Sequence, residues 1–211
     1  MFPYNFITVD GNTGAGKTTL ATMLAKEINA QLILEEFVEN PFLPKFYAEP
    51  ERYALSTELY FLIDRVEQLQ DRLAQQDIFA SPHIADYVFQ KSLLYAKANL
   101  KGDEYLLFER IFHKVLTNLP EPELLIYVHS KPDRLVRNIQ KRGRDFEQVV
   151  QKSYLSRVEE IYFDYFTKNQ HLRILILEAD ELDFVTNEND YQKVKNTVMQ
   201  SFEQGIHRVK L

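Results

Sequence analysis

Hydrophobic and polar positions along the chain alternate between strand-like and helix-like periods. Tyr4–Asp10 is a short β-rich run that ends at a glycine loop, and Gly16–Asn29 then carries Leu20, Met23, Leu24 and Ile28 at helical spacing. Gln31–Leu34 predicts a second strand. Glu51–Gln76 predicts a long helix, with Leu55, Leu59, Leu62, Val66, Leu69 and Leu73 along one stripe. A short third strand is expected to start at Ile78–Phe79, followed by helices over about 83–99 and 102–118. "LLIYV" at Leu124–Val128 is the clearest buried strand. A helix over Asp133–Arg142, another over about 151–168, a last strand at Ile174–Leu177 and a final helix over about 189–203 complete the pattern. Strands alternating with helices predict an α/β chain whose parallel sheet is covered on both faces. Five strands are expected in that sheet. With no internal repeat or low-complexity linker, residues 1–211 read as a single domain with a small helical lid at about 137–150.

Composition narrows the possibilities. The 211 residues are 45% hydrophobic and 27% charged, ordinary values for a globular domain with a sizeable core. A net charge of −6 argues against a broad nucleic-acid surface, so any polyanion site has to be a local basic cluster. Cysteine is absent, which excludes disulfides and thiolate metal sites. No apolar run approaches the length of a membrane span, and the N-terminus lacks the pattern of a signal peptide. The expectation is a cytoplasmic protein without a nucleic-acid or membrane partner.

The segment Gly11-Asn12-Thr13-Gly14-Ala15-Gly16-Lys17-Thr18 satisfies G-x-x-x-x-G-K-[ST], with a strand before it and a helix after it. Such a loop turns its backbone N–H groups into one concavity, and the following helix N-terminus adds positive potential. Lys17 supplies a point charge to the β/γ-phosphates, and the Thr18 hydroxyl can reach Mg²⁺. Together with Thr19 these residues predict a bound nucleoside triphosphate, ATP or another NTP donor, on a P-loop NTPase three-layer α/β/α fold. Further along, Arg137, Lys141, Arg142 and Arg144 concentrate positive charge on one helix and its exit. Guanidinium groups stabilise the charge that spreads over a γ-phosphate in transfer. The alternative is a solvated helix face that ends at Gly143.

Other segments resemble the deoxynucleoside kinase family, above all its bacterial deoxyadenosine/deoxyguanosine kinase branch. "LILEEFVENPFL" is similar to the family's second strand and acidic motif, and "FYAEPERYALSTELYFLIDR" to the helix lining the nucleoside pocket. "QKRGRDFE" with "YLSRVEEIY" resembles the arginine-rich lid and its next helix, and "EADELDF" the loop that holds the donor base. The matches run in order over about residues 5–200. The resemblance implies transfer of the γ-phosphate of ATP to the 5′-hydroxyl of a deoxynucleoside, a purine one by branch, in nucleotide salvage, with Mg²⁺ and a homodimer. It makes Glu35 the general base, just past a strand expected beside the P-loop strand; Glu36 is the confusable neighbour. It assigns Arg137, Arg142 and Arg144 to phosphate or donor contacts, with Phe184 and Arg142 sandwiching the donor base. Tyr47 and Glu147 would meet the sugar 3′-hydroxyl. Arg65 and Asp86 would read the base edge, with Phe89 as a stacking face. The alternative is that Tyr47 and Phe89 are core aromatics and Arg65 an exposed helical charge paired with its neighbours.

Two departures from the family stand out. Where the family has Gln, seven residues before the base-reading Arg, this chain has Glu58, which accepts hydrogen bonds but donates none unless protonated. Seven residues are two helical turns, so Glu58 and Arg65 share one face. Counting back from Asp86, the family's Asp/Glu-Arg-Ser/Thr motif falls on Ala80, Ser81 and Pro82. "FERI" at Phe108–Ile111 imitates the motif only in letters, because its flanks read as an amphipathic helix. On that count an acid near Mg²⁺ and an arginine are both absent. Two readings follow: an active kinase, or a nucleotide-binding homologue with little turnover and a regulatory role. A nucleoside monophosphate kinase is disfavoured, since Glu35 and Glu36 would repel an acceptor phosphate.

Overall fold

The computed structural model describes residues 2–36, 40–73, 81–116 and 119–211. Six strands form one sheet: β1 (Phe6–Gly11), β2 (Gln31–Ile33), β3 (His83–Ala85), β4 (Leu124–His129), β5 (Arg173–Glu178) and β6 (Gly205–Lys210). Their order is β2-β3-β1-β4-β5-β6, and every neighbouring pair is parallel. The helices are α1 (Lys17–Ile28), α2 (Leu43–Ala48), α3 (Pro50–Leu73), α4 (Lys91–Asn99), α5 (Gly102–Val115), α6 (Pro132–Arg142), α7 (Lys152–Lys168) and α8 (Glu188–Val198). No helix among the described residues is long and apolar enough to cross a membrane.

The central strands are buried on both faces, and their side chains sort by the period of two. On one face Ile7, Val9, Ile126, Val128, Leu175 and Leu177 meet Leu20 and Leu24 of α1, Leu135 and Ile139 of α6, and Val194 and Val198 of α8. On the other, Leu125, Tyr127, Ile174 and Ile176 meet Val158, Tyr162 and Phe166 of α7. A further cluster joins α3, α4 and α5 through Leu62, Leu69, Ala96, Phe108 and Phe112. These layers are the three-layer α/β/α architecture expected. Because all strands are parallel, their carboxyl ends lie along one edge, where α/β folds of this kind build ligand sites.

Three expectations are corrected. The sheet has six strands, not five. β6 reads G-I-H-R-V-K and is never fully buried, so its charged edge-strand pattern carries no hydrophobic signal. The third strand is His83–Ala85, where the sequence suggested the start of a helix; Ile78–Phe79 lies outside the described residues. Only three residues long, β3 is held by partners on both sides, Phe6–Thr8 of β1 and Gln31–Ile33 of β2, so tertiary pairing decides its state. That position also means β2 is not adjacent to β1, because β3 lies between them. "FERI", as expected, lies inside helix α5.

The β4–β5–β6 edge is locked by a charge cluster. His129 bonds Glu159 of α7 through Nε2 (2.6 Å) and Glu178 of β5 through Nδ1 (2.9 Å), and Arg208 of β6 also pairs with Glu178. The hydrogen bond to Glu159, aided by Glu178, raises the imidazole pKa although burial opposes it. A raised folded-state pKa gives stabilisation that is complete below the unfolded value near 6.5 and is lost as pH rises through the folded value. The expected outcome is that His129→Gln melts about 2–4 °C below the parent at pH 6, a gap that closes at alkaline pH. Thermal unfolding of both proteins across pH 6–9 checks this.

Candidate active site

The P-loop lies at the carboxyl end of β1 and is gripped by two helices. Asn138 of α6 donates from Nδ2 to the Gly14 carbonyl (2.8 Å), and Asn12 donates to the Leu155 carbonyl of α7 (2.8 Å). Gly14 sits at φ +85, and a Cβ there would lie 2.8 Å from the Leu135 carbonyl, so only glycine lets α6 approach this closely. Gly16, at φ +89, caps α1 without a side-chain hydrogen bond, and no acid stands in the first turn. The first N–H groups of α1 therefore face the loop concavity without a competing carboxylate. Burial, then the Lys91 charge, lowers the Lys17 pKa to about 8.

On the acceptor side, a cavity runs from Lys17 and Thr18 to α3 and to Arg142, Arg144 and Glu147. Glu35 lines it, just past β2, while Glu36 is exposed. Arg65 donates from both Nε (3.0 Å) and Nη2 to Glu35 Oε1, and Lys91 donates to Oε2 at 2.7 Å. Burial alone would raise the Glu35 pKa; Lys91, then Arg65 and Lys17, outweigh it and hold the carboxyl well below the usual range. Arg65 is thus a buried clamp on Glu35, not an exposed helical charge. Its Nη1 also donates to Ser92 Oγ (2.7 Å).

Asp86 is placed differently from the sequence expectation. It follows β3 directly, accepts from the Thr18 hydroxyl (2.5 Å) and from the Glu35 backbone N–H (2.7 Å), and is not paired with Arg65. The acid at the end of the third strand is therefore Asp86 itself. Ser81 and Pro82 precede that strand, and Ala80 lies outside the described residues. Read from Asp86, the family's acid-Arg-Ser/Thr motif becomes Asp86-Tyr87-Val88. The acid is present, so the low-turnover alternative loses that half of its premise. The arginine is still replaced, by Tyr87, but Lys91, four residues later, pairs with Glu35 through its ammonium. Asp10 fixes this loop, accepting from the Gly11 and Val88 N–H groups and the Tyr162 hydroxyl.

The remaining assignments divide. Glu58 lines the acceptor cavity with Arg65, as their spacing requires, and accepts from Asn99 Nδ2 (2.7 Å). Tyr47 lines it too, stacked on Phe146 (5.8 Å), close to Glu147. Glu147 is buried and paired with Arg142 and Arg144. Phe89 is not in the cavity; it stacks on Phe112 in the core (5.0 Å), and Phe61 under Arg65 is the ring that faces the cavity from α3. On the donor side, Lys141, Arg142 and Arg144 border the cleft over Gly14–Thr19, but Arg137 points to solvent. Arg134 takes its place, one turn away, and binds the Asp180 and Leu182 carbonyls. Phe184 borders the cleft but is 5% exposed and packed on Gly16, so it supports the loop and shows little face for stacking.

With this geometry in view, comparison with known proteins is decisive. The deoxynucleoside kinase family model matches residues 7–203. The chain belongs to the deoxynucleoside kinase family. Deoxyguanosine kinase of Bacillus subtilis is 34% identical over 196 residues, covering 90% of this chain and 93% of that one. Deoxyadenosine kinase of Lactobacillus acidophilus is 28% identical over 202 residues, covering 89% and 92%. A solved deoxyadenosine kinase from M. mycoides, with dCMP and a flexible dCDP bound, superposes with a TM-score of 0.79 at 20% identity, covering 92% and 98% of the two chains.

Sequence reasoning missed Lys91, Ser92, Asn99, Phe61, Arg134 and Asn138. Lys91 left one signal, the single charge in the stretch Val88–Leu94, where a lysine among apolar neighbours has to find a partner. Because Lys17 titrates near 8 and binds phosphate only when charged, ATP affinity is expected to weaken above about pH 8, by up to roughly tenfold per unit. Lys91→Met removes the like charge that lowers Lys17 and moves this limb to higher pH. Calorimetric ATP affinities over pH 6–10 check both; a limb that stays in place in the variant would contradict the coupling.

Proposed function

We propose that this kinase transfers the γ-phosphate of ATP to the 5′-hydroxyl of a purine deoxynucleoside, with the nucleoside in the cavity between Glu35, Tyr47 and α3. One observation carries the reading. An ionised carboxylate, Glu35, is held half-buried between Arg65 and Lys91 at the meeting point of the P-loop cleft and the acceptor cavity. Near relatives named for deoxyguanosine and deoxyadenosine support the purine.

Within this reading the P-loop N–H groups and Lys17 hold the triphosphate. Lys141, Arg142 and Arg144 line the cleft that its γ-phosphate would enter. Glu35 accepts a hydrogen bond from the 5′-hydroxyl, aims it at phosphorus, and takes its proton as the bond to phosphorus forms. A strongly acidic carboxyl is a weak base, so this transfer is late: the hydroxyl proton becomes acidic only as the oxygen loses charge to phosphorus. Tyr47 and Glu147 stand where a sugar hydroxyl could be held. Thr18 Oγ1 and Asp86 Oδ2 are neighbouring hard oxygen donors of the kind that Mg²⁺ takes. Bound there, the ion would neutralise charge on the phosphate oxygens.

The expected result is ADP release that depends on a purine deoxynucleoside and falls about 10²–10⁴-fold in kcat in Glu35→Gln, with ATP affinity little changed. If no nucleoside in a full panel raises ADP release in the parent protein, the reading is lost. Ile63, Leu106 and Leu107 on α3 and α5 are exposed apolar side chains, which supports a homodimer through these helices. Light scattering is expected to give twice the chain mass, and Leu106→Glu to lower it to one. A cytoplasmic place in nucleotide salvage is part of the same proposal.

A further inference from the structure

The inner end of the acceptor cavity carries an acceptor and a donor on one helix face. Glu58 and Arg65 are two turns apart on α3, about 10.5 Å along its axis, and both are nearly fully buried. Glu58 Oε1 is taken by Asn99 Nδ2, and among the described residues Oε2 has no hydrogen-bond partner. Arg65 spends Nε and one proton each of Nη1 and Nη2 on Glu35 and Ser92, which leaves a further proton on each Nη. The Thr57 hydroxyl beside Glu58 is buried, lines the same cavity and has no hydrogen-bond partner among the described residues. A buried polar group without a partner costs free energy until a ligand supplies one. The vacancy therefore asks for a ligand edge with a proton to give to Glu58 and an oxygen to receive from Arg65.

Of the purines, only a 6-oxopurine presents that edge. Guanine has N1–H and the 2-amino group as donors next to O6 and N7 as acceptors, and hypoxanthine keeps N1–H, O6 and N7. Adenine reverses the edge: its N1 is a lone pair and its 6-amino group a donor. The lone pair would face the carboxylate, and the amino group the guanidinium. We propose that Glu58 makes this a 6-oxopurine site, its free carboxylate oxygen taking the N1–H of a guanine base while Arg65 donates to O6. This rests on the purine deoxynucleoside reading above and narrows it to one base class. An amide in place of Glu58 would offer both a donor and an acceptor and would suit adenine.

The same side chain makes the preference depend on pH. Burial raises the Glu58 pKa to about 7, against the Asn99 hydrogen bond and the Arg65 charge, with Glu35 adding to the rise and Lys91 opposing it. Tyr47 of α2 and Tyr154 of α7 also face it, both with hydroxyl pKa values pushed upward by burial, and Arg142, Arg144 and Glu147 line the cavity from the lid. Above pH 7 the carboxylate accepts and favours the 6-oxopurine. Below it the protonated acid can donate to adenine N1, so discrimination narrows.

Nucleoside binding measured by calorimetry without ATP tests this separately from phosphate transfer. The ligands are deoxyguanosine, deoxyinosine, deoxyadenosine and 1-methyldeoxyguanosine, each at pH 6 and pH 8. At pH 8 deoxyguanosine and deoxyinosine are expected to bind at least about tenfold tighter than deoxyadenosine and 1-methyldeoxyguanosine, one hydrogen bond to a charged partner being worth that much. The ratio to deoxyadenosine should shrink at pH 6. In Glu58→Gln it should fall by about tenfold and lose its pH dependence. Deoxyadenosine binding as tightly as deoxyguanosine at pH 8 overturns the proposal. So does a ratio unchanged in the variant. If the variant does not fold, 1-methyldeoxyguanosine decides with the parent protein alone, since undiminished binding after loss of N1–H rules out the Glu58 contact. Absence of binding by all four would overturn the acceptor-site reading itself and this inference with it; binding without the predicted order would overturn only the inference.

Discussion

The site depends on one buried carboxylate kept ionised. Glu35 is largely withdrawn from water, and that burial favours the neutral acid; Lys91, Arg65 and Lys17 reverse it. The three cations come from three helices, α4, α3 and α1, and the carboxylate from the loop after β2. None of these charges would be tolerable alone in the interior, so the cluster holds only when all four segments dock together. The parallel sheet makes this possible. It brings the ends of β2, β3 and β1 to one edge, and the short β3 slides Asp86 between Glu35 and the P-loop. Asp86 then fixes the Glu35 backbone, while Lys91 and Arg65 fix its side chain. Position and charge of the same residue are set by different neighbours.

How much of this was legible in the sequence follows from how local each signal is. The P-loop is a continuous motif whose glycines, lysine and threonine all act within eight residues, and it is where the sequence put it. β1, β4 and β5 are apolar runs buried on both faces, and their pattern is unambiguous. β3 is three residues long and β6 carries two charges in six residues, and both exist because a neighbouring strand pairs with them. No periodicity announces such strands. The misplaced β3 then misplaced the chemistry: counting back from Asp86 put the acid at Ala80, whereas the strand ends at Ala85 and makes Asp86 that acid. Lys91 was harder still, since its role is defined by a carboxylate 56 positions earlier in the chain. On α6 the charge cluster was visible, but which members face the cleft is a matter of helical phase. The burial of Leu135 and Ile139 turns Arg134 and Asn138 toward the loop and Arg137 away from it.

The donor and acceptor cavities share more than a boundary. Lys17, Thr18, Glu35, Asp86, Arg142 and Arg144 line both. Lys91 holds Glu35 and at the same time lowers the pKa of Lys17, so the charge that serves the acceptor side weakens the cation that serves the donor side. A triphosphate reverses the balance, because its negative charge favours the protonated lysine and offsets the Lys17–Lys91 repulsion. Arg142 is shared in the same way. It pairs with Glu147, and an anion entering the donor cleft competes with that carboxylate for the guanidinium. Whatever Glu147 loses from Arg142 it keeps in part from Arg144, and it stands beside Tyr47 at the place proposed for the sugar. Charge placed in the donor cleft therefore acts on groups that also face the acceptor cavity. The two sites of this kinase are coupled through shared charges, and the coupling follows from packing them against one carboxylate.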